Sequence, residues 1–377
     1  MFGFISVKLH RARGNFAVFP VLMLLAGCAT QQQVQAPPRA PAEVRAQLVA
    51  LLPADVPDRR GWATDIHSAF QLLDIPSSTE NLCAVLAVTE QESTFNPDPD
   101  VPGLSKIARE EIERRAAERK IPKLLVSAAL QLPSPDGRRY ADRLAAVRTE
   151  KDLNRLYEDL IDKVPMGQRL LGSANPVRTG GPMQVSIAFA ERHARQHPYP
   201  YPAAGSIRNE VFTRRGGMYF GIAHLLGYPS TYERHLYRYA DFNAGWYASR
   251  NAAFQAAVTI ASGVPLTLDG DLILHDAGGE QIGATEAAVR SLGPQIDLGD
   301  AAIHRALIRG DSIEFERSEL YVSVFALAER TAGPLPRAVM PRITLHSPKI
   351  TRKLTTEWFA TRVEQRYRRC VNKAFGQ

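Results

Sequence analysis

The sequence predicts a mainly α protein, and three observations predict it. Apolar residues recur at helical spacing in several long segments: Leu82, Val85 and Thr89; Leu153, Leu156, Tyr157, Leu160, Ile161 and Val164; Phe359, Val363, Tyr367 and Cys370. A capping pair, Ser77 with Glu80, opens the first of these segments and Asn96-Pro97 and Pro99 close it. Only residues 266–274, around Asp269-Gly270, alternate apolar side chains as a strand does, which predicts a small β-hairpin there. With 45% hydrophobic and 23% charged residues the composition is that of a globular chain, long enough to bury a substantial core in one elaborated domain or two.

In chain order, Lys8, Arg11 and Arg13 precede an apolar run through Phe16, Val18, Phe19 and Val21 that ends in Leu25-Ala26-Gly27-Cys28. Residues 1–27 read as a secretory signal with a lipoprotein cleavage box, too short for a membrane span, after which the Cys28 thiol would carry a diacylglycerol. The other reading is an uncleaved apolar N-terminus that merely contains a cysteine. The segment resembles bacterial lipoprotein signals, and in that resemblance Ala29, standing where inner-membrane lipoproteins usually have Asp, implies a lipid anchor on the periplasmic face of the outer membrane. Residues 28–43, rich in Gln, Pro and Ala, bury too little to order themselves and read as a tether, so folding is expected to begin near Val44. The formal charge of +7 falls to +4 when Lys8, Arg11 and Arg13 leave with the signal. No basic segment is interleaved with stacking aromatics, so nucleic acid is not an expected partner.

Ser77 with Glu80 forms a capping box that opens a helix running to about Ser93. Leu82, Val85, Thr89 and Glu92 share one side of it, whereas Glu90 points elsewhere. Asn96-Pro97 and Pro99 stop the helix, leaving Glu92 at a helix end that opens onto a loop. Residues 104–171 read as a long helical insertion. Its first helix is dense in charge, with Glu110 to Arg114 and Glu111 to Arg115 at supportive spacing, and a later one carries the amphipathic pattern from Leu153 to Val164. Beyond it, Gly180 and Gly181 permit close backbone approach, with Met183 and Gln184 offering an apolar contact and an amide. A further helix begins near Gly216 and Gly217. Residues 318–330 and 355–372 read as the last helices, separated by the proline-rich stretch 334–341.

Three motifs in fixed order, ESTFNP at 92–97, GPMQV at 181–185 and ADFNAG at 240–245, carry a resemblance to the lytic transglycosylases, lysozyme-like enzymes that cut the glycan strands of peptidoglycan. The resemblance implies a lysozyme-like catalytic region over residues 44–265, with residues 266–377 packed on it. It implies cleavage between N-acetylmuramic acid and N-acetylglucosamine to give 1,6-anhydromuramyl products, a lyase reaction that needs no cofactor or metal. One carboxyl suffices there: Glu92 protonates the leaving oxygen, and the C6 hydroxyl of the muramic acid attacks the anomeric carbon and returns its proton to Glu92. By the same resemblance Ser93, Gly181, Met183, Gln184, Phe242 and Asn243 bind substrate. Position 182 is Pro where the family has Leu, the insertion is longer than usual, and position 242 is Phe where the family has a phenol; Tyr237 and Tyr239 are near enough in sequence to replace the hydroxyl. The chain also resembles a family of bacterial lipoproteins of unknown function.

Two alternatives stand beside this reading, a non-catalytic peptidoglycan-binding scaffold and a muramidase that uses water. A hydrolase needs a second carboxylate, for which Asp98, Asp100 and Asp241 are candidates. His193 and His197, four apart beside Glu191, have metal-ligand spacing but no third ligand. Ser93 lacks a nucleophile elbow, and no dinucleotide or phosphate-binding loop is present. Cys83 and Cys370 remain as an even pair in an oxidising compartment, either bridged or separately buried.

Overall fold

Two helices, α1 (Pro41–Leu51) and α2 (Arg59–Leu72), pack on each other ahead of the helix that carries Glu92. In this computed structural model the described residues are 39–163, 175–203, 205–274, 281–345 and 354–376. The signal at 1–27, Cys28, most of the tether and the end of the insertion lie outside them. Helix α1 starts with Pro41 at the first helical position, where a missing N–H costs nothing, so residues 41–43 belong to the helix rather than to the tether. Asp58 caps α2 by accepting from the Gly61 N–H at 3.0 Å. Arg214 then joins Asp58 and Asp65 at 2.8 and 2.6 Å.

Helix α3 (Thr79–Ser93) is capped by Ser78, whose hydroxyl accepts from the Asn81 N–H at 3.2 Å; the cap sits one residue later than the expected box at Ser77. It buries Leu82, Cys83, Val85, Leu86 and Val88, more than one face, as a helix enclosed by others must. The insertion comes next as α4 (Leu104–Glu118), α5 (Lys123–Leu130), α6 (Tyr140–Ala146) and α7 (Glu150–Asp162). On α4 Glu111 pairs with Arg114 and Arg115, while Glu110 reaches back to Lys106 instead of forward to Arg114. Such exposed pairs add little stability. The insertion is anchored from its other side: Leu130, Leu144, Leu153 and Leu156 join the main core. Buried Asn154 donates to Asn209 and accepts from Asn175 and Arg208.

Strands β1 (Thr179–Gly180) and β2 (Val185–Ser186) form a two-stranded antiparallel ladder that feeds α8 (Ile187–Gln196). After α9 (Ile207–Val211) come α10 (Arg214–Leu226), capped by Thr213, and α11 (His235–Ala244). Helix α12 (Ala248–Ser262) contributes Ala253, Phe254, Ala257 and Val258 to a second core. That core is completed by α13 (Ala284–Ser291), α14 (Gly293–Ile296), α15 (Asp300–Leu307), two short 3-10 segments and α16 (Glu319–Ala332). The second core therefore begins on α12, at Ala253. The chain closes with the ladder β3 (Thr344–Leu345) and β4 (Leu354–Thr355) and with α17 (Thr356–Phe375), which leaves the second core and lies along α3 and α11. Cys83 and Cys370 are joined by a disulfide with their Cα atoms 5.5 Å apart. Arg366 and Arg369 reach Glu90 at 3.4 and 3.0 Å.

The protein is mainly α, but the hairpin expected at 266–274 is not a strand pair. Its backbone groups are taken by side chains: Gln255 accepts from the Gly270 N–H and donates to the Asp271 carbonyl, and Asn251 donates to the Gly270 carbonyl. With the polar backbone already satisfied from α12, no ladder is needed. The small ladders that do form each pair only two residues a side.

Candidate functional site

Glu92 occupies the last turn of α3, and the backbone reversal after Ser93 fixes where it points. Thr94 and Phe95 both lie in the left-handed region, at φ 52° and 59°, a costly pair for residues other than glycine. The reversal is held by Phe95, which is buried edge-on against Trp62 at 5.7 Å, with Arg214 stacked over the same indole. Glu92 lines a cleft of about 900 Å³. Among the described residues no hydrogen bond or cation holds its carboxyl, and burial pushes its pKa up to about 7.

One wall of the cleft comes from the β1–β2 turn and α8. Gly181 adopts φ +71°, and a Cβ there would run into the Val211 carbonyl, so the tight turn requires glycine. Gln184, also left-handed, accepts from the Thr179 hydroxyl at 3.1 Å and faces the cleft. Phe189, Arg192 and Gln196 come next on α8. His224 of α10 joins them, its ring 4.5 Å from Phe189 and 4.8 Å from Phe242. Burial depresses His224 to about 4, so the imidazole is neutral, and its Nδ1 is buried without a partner among the described residues.

The end of α11 supplies Phe242 and Asn243, and Asp241 sets them. Its buried carboxylate accepts from the Tyr228 and Tyr232 hydroxyls at 3.0 and 2.7 Å and from the Tyr247 and Ser249 N–H groups at 3.1 and 2.7 Å. This ties α11 to the start of α12 and turns the next two side chains toward the cleft. The loops at 270–273 and 307–311 are held from α12, on which Arg250 is buried with no carboxylate paired to it among the described residues. Its guanidinium donates to the carbonyls of Gly310 and Ser312 at 2.6 and 2.7 Å and lies 4.2 Å from the Tyr247 ring centroid. Asn251 adds bonds to Gly270 and Gly310, so both loops, with Asp271 and Asp311, are fixed from one helix.

Of the residues read from the sequence, Glu92, Gln184, Phe242 and Asn243 meet in the cleft. Ser93, Gly181 and Met183 do not line it. The Ser93 hydroxyl turns back to the Thr89 carbonyl, and Met183 is fully buried under α10 beside Gly221, the space that glycine leaves. Neither Tyr237 nor Tyr239 replaces the missing phenol, since neither lines the cleft: Tyr239 is wholly buried beside His235 and Tyr367, and Tyr237 packs at a tilt against Tyr232. The candidate second carboxylates are elsewhere too. Asp241 is locked by its four donors, Asp100 pairs with Arg148, and Asp98 sits beside Thr149. The His193 and His197 rings pack tilted at 4.8 Å, and His193 also stacks on Phe189, so aromatic packing accounts for the pair; among the described residues no cluster of three potential metal ligands occurs. Sequence reasoning missed Arg192, His224, Asp271 and Asp311. Arg192 alone left a signal, standing three residues after Phe189 on the helix that succeeds GPMQV.

A family profile described as "Protein of unknown function (DUF1615)" matches residues 55–373. The chain is 52% identical over 355 residues to the Escherichia coli (strain K12) protein called "Uncharacterized protein YaiW", an alignment that covers 93% of this chain and 96% of that one. No solved structure matches.

Proposed function

The chain belongs to this DUF1615 family, and we propose that it is a lipid-anchored peptidoglycan lytic transglycosylase that cleaves between N-acetylmuramic acid and N-acetylglucosamine. One observation supports the reading: the Glu92 carboxyl, without a hydrogen-bond or ionic partner among the described residues, lines a cleft of about 900 Å³ with its pKa raised to about 7. A general acid works best when its pKa lies near the operating pH, and desolvation is the usual way to bring a glutamic acid there. Glu92 is then protonated in a useful fraction of molecules at neutrality, able to give its proton to the leaving oxygen. As a carboxylate it can next take the proton of the C6 hydroxyl. Gln184, Phe242 and Asn243 support the reading as groups that would hold a sugar ring beside it. Outer-membrane anchoring through Cys28 belongs to the same proposal and rests on the sequence.

Asp271 and Asp311 favour a second reading, a muramidase, because they bring further carboxylates to the same cleft. Product chemistry separates the two. Isolated sacculi digested with the lipidated protein in detergent should yield 1,6-anhydromuramyl ends. Reducing muramic ends would instead establish the hydrolase, and retention on sacculi without any cleavage would leave a binding scaffold.

A further inference from the structure

We propose that the wall formed by α8 and α10 is an acid-recognising subsite, in which Arg192 and His224 bind a carboxylate carried by the muramyl residue of the glycan strand. The inference rests on the saccharide reading of the cleft and names which feature of the sugar that cleft selects.

Phe189, Arg192 and Gln196 fall at helical spacing on α8, and all three line the cleft with Glu92. No carboxylate pairs with Arg192 among the described residues, although neighbouring Glu191 is engaged with Arg208 at 3.9 Å. His224 approaches from α10 with its ring against Phe189 and closes the same wall. It leaves a buried Nδ1 without a partner, a condition that native proteins rarely tolerate unless a water or ligand completes it. In the tautomer with its proton on Nδ1, the neutral imidazole offers a donor there at no electrostatic cost. Burial depresses its pKa to about 4, with the Arg192 charge adding to the effect, so the imidazole near that cation is neutral.

Asp271 and Asp311 line the same cleft from the loops held by α12, so an anion entering it is drawn to Arg192 and away from those carboxylates. N-acetylmuramic acid differs from N-acetylglucosamine by a lactyl ether that ends in a carboxyl. In strands stripped of peptide that carboxyl is free; in strands that bear a stem it is an amide, and the stem supplies carboxylates instead. A cation and a hydrogen-bond donor on one wall would let the cleft tell muramyl from glucosaminyl residues and so set the register of the strand over Glu92.

The test measures binding of three probes to the wild-type protein and to Arg192→Gln: the N-acetylglucosaminyl-N-acetylmuramic acid disaccharide with a free lactyl carboxyl, the same disaccharide carrying an L-Ala-D-Glu stem, and neutral N,N'-diacetylchitobiose. At least one acidic probe should bind the wild type about tenfold more tightly than chitobiose, the scale of one charge-assisted hydrogen bond. Arg192→Gln should bring it to parity while leaving chitobiose unchanged, and whichever acidic probe loses its advantage identifies the source of the carboxylate. Equal wild-type affinities for all three probes, or an advantage that survives Arg192→Gln, overturns the subsite and leaves the saccharide reading standing. If no probe binds, the subsite is overturned as well, and sacculus digestion then decides the enzyme reading separately.

Discussion

Glu92 is held so that ionising it costs the folded protein, and that cost has a sign that can be measured. Its folded pKa, about 7, lies above the ordinary 4.5. Below pH 4.5 the carboxyl is protonated in both folded and unfolded chains and contributes nothing. Between 4.5 and 7 the unfolded chain releases the proton while the folded one keeps it, so stability falls as pH rises and then levels off. The side chain is only half-buried, which reduces the full linkage value to about 2 kcal/mol. Glu92→Gln removes the ionisation, so the variant should melt with the wild type near pH 4.5 and be more stable by about 2 kcal/mol at pH 8. Parallel melting curves across that range would show that the carboxyl is not desolvated. In sacculus digests the same variant should lose about a hundred- to ten-thousandfold in rate, and wild-type activity should decline above pH 7 as the acid form is lost. Glu92 was legible because a helical stripe, a capping serine and a run of prolines fixed its place from neighbours in sequence. His224 was not, because nothing near position 224 shows that Phe189 and Phe242 close around its ring.

Among the elements, those with local instructions were read closely. Helices α3, α7, α16 and α17 carry caps and strong apolar periodicity, and their ends fall within a few residues of expectation. The segment 266–274 misled because alternation reports which side chains are buried, not what satisfies the backbone, and here Gln255 and Asn251 satisfy it from another element. The same helix holds Arg250, and its loss can be predicted. Arg250→Met keeps much of the apolar volume but removes the donor to the Ser312 carbonyl and leaves the Gly310 carbonyl to Asn251 alone, so unfolding by denaturant should show a destabilisation of about 2 kcal/mol. A change below about 0.5 kcal/mol would mean that the Ser312 carbonyl finds water and that the loop does not depend on this clamp. The tie between α3 and α17 is covalent, closing a loop with a sequence separation of 287. Chain-entropy reasoning gives such a closure about 4 kcal/mol. The Cys83→Ala, Cys370→Ala double variant should therefore unfold at a lower denaturant concentration than the oxidised protein and match the reduced wild type. An oxidised protein no more stable than its reduced form would show that the buried Phe359 and Val363, with the Glu90 ion pairs, already dock α17 unaided.

At the scale of the whole molecule the cleft was the least legible feature, since it draws on α3, α8, α10, α11 and both loops held by α12, elements whose meeting no local pattern encodes. The three motifs marked one side of it, and the loops that bring Asp271 and Asp311 to it are placed only when the second core packs. Attachment to a membrane is a separate matter from this cleft. Among the described residues no helix is long and apolar enough to cross a bilayer. In the proposed function the anchor is a lipid on Cys28. A single acyl chain holds a protein only marginally, whereas a diacylglycerol supplies two chains and a stable hold. Cys28→Ser should accordingly abolish lipid attachment and move the protein from the membrane fraction to the soluble one. The cleft lies wholly in residues beyond the tether, so the released variant should digest isolated sacculi in solution at the wild-type rate while losing its placement beside the wall in cells. An unlipidated mass for the wild type, together with unchanged fractionation of Cys28→Ser, would remove the anchor and leave the chemistry at Glu92 to be judged by its products.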